Sequence, residues 1–361
     1  MKNKKIKIVF VIPSLAAGGA ERILSYIANR IDSEKFDPTL LVVGFEKDTV
    51  YELGDLNVVY LNKTRVLGAI FDFIKYFRTE KPDIVLSSIF HLNTLIAFLS
   101  VFFPRIKFVA REANVLSVLN KHTGTRTSGL TKYLVVFAYK LVDCLICQSK
   151  DMQDDMTENY GVSLKKTVLI NNPITNTFKL KTRIKKQEEP LKIISIGRLS
   201  KEKGHDRIIE VLSKLNFPFH YTLIGNGIEK ESIFNLIKQN GITDKVTHIG
   251  YTKDVEKYLT ENDVFLQGSY SEGLPNALIE SCVVGTPIVA FDAPGGLNEI
   301  IEDDKNGKII QSVNACVNEL TVLNTNFSFD PVQVNEVVTR KFNSEKIINQ
   351  YEALFLKLTN Q

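Results

Sequence analysis

Short apolar runs and longer helical patterns alternate along most of the chain. Residues 6–12 are apolar apart from Lys7 and read as a strand buried on both faces of a sheet. Residues 20–31 then carry helical spacing. Runs at 40–43, 58–60 and 84–88 read as strands, 66–77 as a helix, and 108–110 and 144–147 as two later strands. This alternation predicts a parallel sheet with helices on both faces. The pattern stops at Asn171-Asn172-Pro173, which is turn chemistry, and residues 179–190 are polar and charged without periodicity. A second series begins with strand 193–196. Helix 207–214, strand 221–224, helix 229–240, strand 246–249, helix 255–261 and strand 264–266 follow, and strand 288–291 completes the sheet. Residues 344–358 read as a terminal helix with Ser344 as its N-cap. The expected division is a first domain at 1–172, a linker at 173–190, a second domain at 191–343 and a C-terminal helix within 344–361.

One stretch complicates this picture. Residues 84–103 contain no Asp, Glu, Lys or Arg and are about as long as a membrane span. They also contain Ser87, Ser88, His91, Asn93, Thr94 and Ser100, which favours a buried strand at 84–89 followed by a buried helix at 94–103. The lysine-rich start lacks a signal-peptide cleavage pattern, so a cytoplasmic protein is expected.

Composition narrows the class without naming it. A chain of 361 residues suits about two domains, and 44% hydrophobic with 24% charged residues is ordinary for a globular fold. Residues 1–170 hold 23 Lys+Arg against 17 Asp+Glu, whereas the remainder hold 22 against 24. The basic half suits an anionic membrane surface or a phosphorylated substrate, or is a plain solvated surface with Lys2, Lys4, Lys5 and Lys7 as a basic tail. Cys144 and Cys147 have C-x-x-C spacing, but within a strand they point to opposite faces and read as core thiols. No second Cys/His pair supports a metal site, and no nucleic-acid partner is expected.

The chemistry concentrates at strand ends, where ligands of open α/β sheets bind. Ser271-Glu272-Gly273-Leu274-Pro275-Asn276-Ala277-Leu278 follows strand 264–266 and runs into a helix containing Glu280. Pro275 suits a first helical turn, and the N–H groups of Asn276, Ala277 and Leu278 would offer a phosphate seat. Carboxylates beside phosphate need neutral hydroxyl donors, which ribose and hexose supply. After strand 193–196, Gly197 and Gly204 bracket Arg198 and Lys203, two cations suited to a diphosphate. Gly225-Asn226-Gly227 reads as a β/α turn and nucleotide wall; Gly250 is similar, with Tyr251 as a neighbour for the base. Glu299, after Gly295-Gly296, either touches the nucleotide or caps its helix. In the first half, Gly18-Gly19 either lets a ligand approach a helix start or forms a tight turn, and the G-x-G-x-x-G fingerprint of dinucleotide enzymes is missing there.

Taken together, Gly197–Gly204, Gly225–Gly227, the Glu272/Glu280 spacing and Pro294-Gly295-Gly296-Leu297-Asn298-Glu299 resemble the nucleotide-sugar domain of retaining glycosyltransferases of family 4 (glycosyltransferases group 1). Gly18-Gly19-Ala20-Glu21, Phe90-His91-Leu92-Asn93, Ser149 and Asn171-Asn172-Pro173 extend the resemblance over nearly the whole chain. It implies the α/β GT-B fold: two Rossmann-like domains facing a central cleft, with the C-terminal helix returning to the first. It further implies that Glu272 holds hydroxyls of the transferred sugar and Glu280 the ribose. Arg198 and Lys203 would neutralise the diphosphate, and Gly19 would line the phosphates. No metal or cofactor is implied, the nucleotide-diphosphate sugar being a co-substrate.

The acceptor side departs from the family. Arg111-Glu112-Ala113-Asn114 stands where many relatives carry a His after strand 108–110, so Arg111 or Glu112 is the candidate replacement. His91 is a further candidate or a packed histidine. His122 lies in a Gly/Thr/Arg-rich segment at 121–129 that reads as an acceptor loop. The expected function is transfer of a hexose or N-acetylhexosamine, from UDP-sugar by preference, to a cell-surface glycan or lipid-linked saccharide. A peripheral place on the cytoplasmic face of the membrane accompanies it. The alternatives are a nucleotide-sugar epimerase of the same architecture and a catalytically idle glycan-binding scaffold.

Overall fold

The computed structural model describes residues 4–16, 18–118 and 129–359. The chain forms two compact units. One contains residues 4–116, 129–175 and 344–359, and the other residues 117–118 and 176–343. The segment read as an acceptor loop, with His122, lies outside the described residues apart from Gly129, which begins a helix.

The first unit is a seven-stranded parallel sheet. Its strands are β1 (Ile6–Ile12), β2 (Phe36–Val42), β3 (Asn57–Tyr60), β4 (Ile84–Ser88), β5 (Lys107–Arg111), β6 (Cys144–Cys147) and β7 (Thr167–Leu169). They lie in the order β3-β2-β1-β4-β5-β6-β7, all neighbours parallel. Strand β1 is central, with Ile8 beside Ile84 and Phe10 beside Leu86. Its Ile8, Phe10 and Ile12 pack with helix Gly19–Arg30 and the C-terminal helix Ser344–Thr359. Its Val9 and Val11 pack with helices Ile70–Glu80 and Phe90–Ser100 on the other face. Burial on both sides is why this strand is apolar apart from Lys7.

The second unit carries six parallel strands, β8 (Leu191–Ile196), β9 (Phe219–Ile224), β10 (Val246–Ile249), β11 (Val264–Gln267), β12 (Ile288–Phe291) and β13 (Gly307–Ile310). Their order is β10-β9-β8-β11-β12-β13. Strand order reverses between β1 and β4 in one sheet and between β8 and β11 in the other. Such switch points open a crevice at the carboxyl ends of the strands.

The structure corrects several expectations. The second sheet does not end at β12, because β13 pairs beside it along Gly307–Ile310. That strand reads Gly307-Lys308-Ile309-Ile310, with too few apolar residues for a run. The helices Gly129–Leu141, Lys150–Glu158, Val313–Thr325 and Pro331–Phe342, and strand β7, have no counterpart in the sequence reading. Helix Phe90–Ser100 starts four residues before the expected 94, because Asn93 serves a buried polar network rather than a loop. Ser344 is the first residue of its helix, not a cap, and its hydroxyl lies 2.8 Å from that of Tyr26. Of the polar stretch at 173–190, residues 176–190 belong to the second unit. Lys181 is buried, its ammonium reaching the Asn262 carbonyl and Thr286 Oγ1 at 3.1 Å each, and Arg183 pairs with Asp263. Among the described residues no helix is long and apolar enough to cross a membrane. All four cysteines are free and buried, and burial pushes Cys144 up to about 12.

Phe355 ties the C-terminal helix to the first sheet. It is fully buried, with ring centroids 6.1 Å from Phe10 and 6.0 Å from both Phe36 and Tyr351. Phe355→Ala is expected to destabilise the first unit by about 3–5 kcal/mol, through lost burial and a residual cavity. Urea unfolding followed by circular dichroism should show a transition at lower denaturant; an unchanged midpoint would show that the helix end is not part of that core.

Candidate active site

In the second unit, backbone approaches at the strand ends build the site. Gly204 has φ +57, a left-handed conformation, and a Cβ there would overlap the carbonyl of Gly268. It ends the short turn Lys201–Lys203 and starts helix His205–Ser213, so the loops after β8 and β11 touch backbone to backbone. Likewise a Cβ at Gly225 would overlap the carbonyl of Gly197, which joins the loops after β8 and β9.

This packing delivers Lys203 to Glu272. The Lys203 ammonium donates to both carboxylate oxygens, at 2.7 and 2.8 Å, and Ser269 Oγ donates to one of them at 2.6 Å. Glu272 is buried, with its N–H on the Pro294 carbonyl at 2.9 Å. Arg207 holds the same loop from beneath. Its guanidinium donates to the carbonyls of Gly268 and Ser269 and lies 4.2 Å from the Tyr270 ring centroid and 4.5 Å from that of Phe291. Its partial burial lowers its pKa. His205, buried and with a lowered pKa from desolvation, sets Nε2 3.2 Å from the Arg198 carbonyl. Neither Arg207 nor His205 emerged from the sequence. Their positions just after Gly204, between the two cations' loop and a helix, were the available signal.

The other predicted donor residues divide by exposure. Arg198, Asn226 and Tyr251 are exposed near strand ends, whereas Gly250 is half-buried with its Cα side against Asn226. Leu274 and Leu278 are core side chains, so they can meet a ligand only through backbone. Pro275 precedes helix Asn276–Val283 as its N-cap rather than lying in its first turn, and the Leu278 N–H is already bonded to the Pro275 carbonyl at 3.1 Å. The proposed phosphate seat therefore loses one of its three donors. Gly273 accepts the N–H of Gly296 at 2.7 Å, and Ala277 and Glu280 are half-buried. Glu280 takes the Asn176 side-chain amide at 3.3 Å. Glu299 is half-buried in the short helix Leu297–Ile300.

The first unit has a different character. Gly18 caps helix Gly19–Arg30, and the Tyr51 hydroxyl accepts its N–H at 2.6 Å and donates to its carbonyl at 2.7 Å. Its φ of −160 is ordinary extended backbone, so left-handed freedom is not the reason for glycine there. His91 is exposed at the start of helix Phe90–Ser100, and desolvation lowers its pKa. The preceding Ile89 has φ +80, a strained value for a β-branched residue.

Arg111 and Glu112 are both fully buried. Arg111 donates to Asn172 Oδ1, to the Tyr351 hydroxyl at 3.1 Å and to Ser88 Oγ at 3.3 Å. It ties β5 to the C-terminal helix and presents no surface to a substrate. Glu112 accepts from Asn93 Nδ2 at 2.9 Å, while its second oxygen is buried without a hydrogen-bond partner. Burial raises its pKa to about 8. The Arg-for-His replacement is thus not what this geometry offers. Among the described residues no three His, Cys, Asp or Glu converge as a metal-binding group.

Comparison with known proteins agrees with both units. The model for glycosyltransferase family 4 matches residues 17–177, and that for glycosyl transferases group 1 matches 176–318. A glycosyltransferase of Haemophilus influenzae is 27% identical over 96% of this chain and 99% of its own length. An N-acetylgalactosamine-N,N'-diacetylbacillosaminyl-diphospho-undecaprenol 4-alpha-N-acetylgalactosaminyltransferase of Campylobacter jejuni is 26% identical over 84% of this chain and 86% of its own. The solved Anabaena protein HepE, in complex with UDP and glucose, superposes with a TM-score of 0.82 at 18% identity, covering 98% of this chain and all of that one. The chain belongs to the group 1 glycosyltransferases and has their GT-B fold.

The buried Glu112 carboxyl has a measurable consequence. Its folded pKa lies above its unfolded value, so the folded state holds the proton more tightly. Stability from this group is fully present below the unfolded value and is lost as pH rises through about 8. Glu112→Gln should flatten the decline in stability between about pH 5 and 8. Denaturant titrations of both proteins across that range test this; parallel pH profiles would show that Glu112 is ionised or solvated.

Proposed function

We propose that the chain is a retaining, metal-independent glycosyltransferase. It moves a hexose or N-acetylhexosamine from a UDP-sugar to a lipid-linked saccharide or a growing cell-surface glycan. The observation that carries this reading is the contact of Lys203 with Glu272 at the switch point of the second sheet. It puts a cation and a carboxylate in one crevice, the former suited to a diphosphate and the latter to sugar hydroxyls. Exposed Arg198 on the same loop adds a second cation for the departing charge. Two cations can do the electrostatic work that a divalent ion does elsewhere. Catalysis is then mainly positioning and leaving-group stabilisation. UDP is favoured because HepE, of the same fold, was solved with it. The lipid-linked acceptor is favoured by the name of the Campylobacter relative, and retention follows the family resemblance.

A lipid-linked acceptor requires access to a membrane, and the first unit has a suitable face. Leu67 and Phe71, the latter 83% exposed, stand outside helix Ile70–Glu80 and the turn before it. Tyr133 (76% exposed), Leu134 and Phe137 stand outside helix Gly129–Leu141. Helix Phe90–Ser100 lies beside the latter, Phe98 stacking on Phe137 at 6.1 Å. Arg65, Lys75, Arg78 and Lys132 are exposed on the same elements, as is Glu80, whereas Asp72 is paired with Lys63. Exposed apolar groups together with this excess of cations suit an anionic bilayer surface.

Two experiments test these readings. A panel of nucleotide sugars with membrane extract as acceptor should give nucleotide release with one UDP-sugar. Glu272→Ala should abolish transfer with the fold intact by circular dichroism, and Arg198→Ala should lower kcat/KM at least tenfold. Wild-type turnover in both variants would remove the site assignment. Separately, the protein should co-sediment with phosphatidylglycerol vesicles and not with phosphatidylcholine alone, and Phe71→Ser/Tyr133→Ser should lose that binding. Unchanged sedimentation would exclude this face; a dimer in light scattering that the double variant disrupts would assign it to self-association instead.

A further inference from the structure

We infer that the Lys203–Glu272 ion pair makes the donor site hold the nucleoside diphosphate that remains after transfer more weakly than an intact nucleotide sugar. The inference rests on the donor-site reading above. The buried Glu272 carboxylate has two protein partners, the Lys203 ammonium on both oxygens and Ser269 Oγ on one. Lys203 is the more solvent-accessible of the ion pair, with 27% side-chain exposure against 8% for Glu272.

The same ammonium is the point charge that a diphosphate needs. Turning it toward phosphate oxygens withdraws it from Glu272. Glu272 cannot follow by moving its backbone. Its N–H is fixed on the Pro294 carbonyl, and Gly295 lies so close to its carbonyl that a Cβ would not fit. A free diphosphate therefore leaves a buried carboxylate without its counter-ion, and adds negative charge beside it. Removing one partner from a buried pair is strongly unfavourable.

A nucleotide sugar differs in one respect. Its sugar hydroxyls can donate to Glu272 and replace the lost ammonium, so both members of the pair end with partners. Once the glycosyl group has passed to the acceptor, those hydroxyls leave. Lys203 and Glu272 then pair again, and the diphosphate loses one of its two cations. No covalent change in the protein is involved. The pair acts as a product-release device built from the binding residues themselves.

Calorimetric titration with UDP, GDP and dTDP tests this on wild type, Glu272→Gln, Lys203→Met and the double variant. The diphosphate that wild type binds should bind Glu272→Gln at least tenfold tighter, because the competing charge is gone. Lys203→Met should bind it more weakly, and the double variant no tighter than Lys203→Met. Equal or weaker binding by Glu272→Gln would overturn the inference while leaving the donor site in place. A gain that persists in the double variant would also overturn it, since the effect would not pass through Lys203. Ser269→Ala supplies a second check with opposite sign. It leaves Glu272 more dependent on Lys203, so diphosphate binding should weaken, and unchanged affinity counts against the competition. Failure of wild type to bind any of the three would instead overturn the donor-site reading, and the inference with it.

Discussion

The second unit depends on contacts that only glycine permits between neighbouring strand-end loops. Gly204 meets the Gly268 carbonyl, Gly225 that of Gly197, and Gly295 that of Glu272. Each contact leaves no volume for a Cβ, so the loops after β8, β9, β11 and β12 are drawn into one rigid layer. Lys203 and Glu272 are 69 residues apart, yet this layer brings them within hydrogen-bond distance. A site of this kind is held by backbone more than by side-chain packing, which suits chemistry that relies on positioning.

Arg207 completes the layer. Its guanidinium satisfies two carbonyls of the loop before Glu272, and two aromatic rings flank it. A Lys could not make the forked contact and the stacking at once. The arginine in the helix after the turn is thus structural, while Lys203 and the exposed Arg198 are the two proposed for a ligand. Sequence spacing alone could not separate these roles, because all three lie within ten residues.

Much of the framework was legible because both sheets are parallel and covered on both faces. Such strands give apolar runs, and β1, β4, β9 and β12 were visible for that reason. Strands β7 and β13 were not, since β7 has three residues and β13, Gly307-Lys308-Ile309-Ile310, has only two apolar ones. The Lys203–Glu272 pair was inferable as two groups at strand ends, whereas their direct contact was not, since it depends on how two glycines meet. At the acceptor side, Arg111 and Glu112 looked available because a loop after a strand normally faces solvent. The fold buries them instead: Asn93, Asn172 and Tyr351 approach from three separate elements, none near in sequence.

That burial shapes what the first unit can contribute. An arginine with three protein partners cannot turn to a substrate without breaking β5 away from the C-terminal helix. A carboxyl with pKa raised to about 8 is mostly neutral near pH 7, and so can donate as well as accept. Glu112, fully buried, presents no surface to a substrate, and its second oxygen is a polar group held inside the fold. His91 is the exposed group at the switch point, held at a helix start behind the strained Ile89. Backbone strain persists only where the surroundings fix it, and here β4 and helix Phe90–Ser100 fix it from both sides. The polar groups at the strand ends of the first unit are thus mostly engaged within the protein, whereas the second unit carries the ion pair of Lys203 and Glu272 at its own.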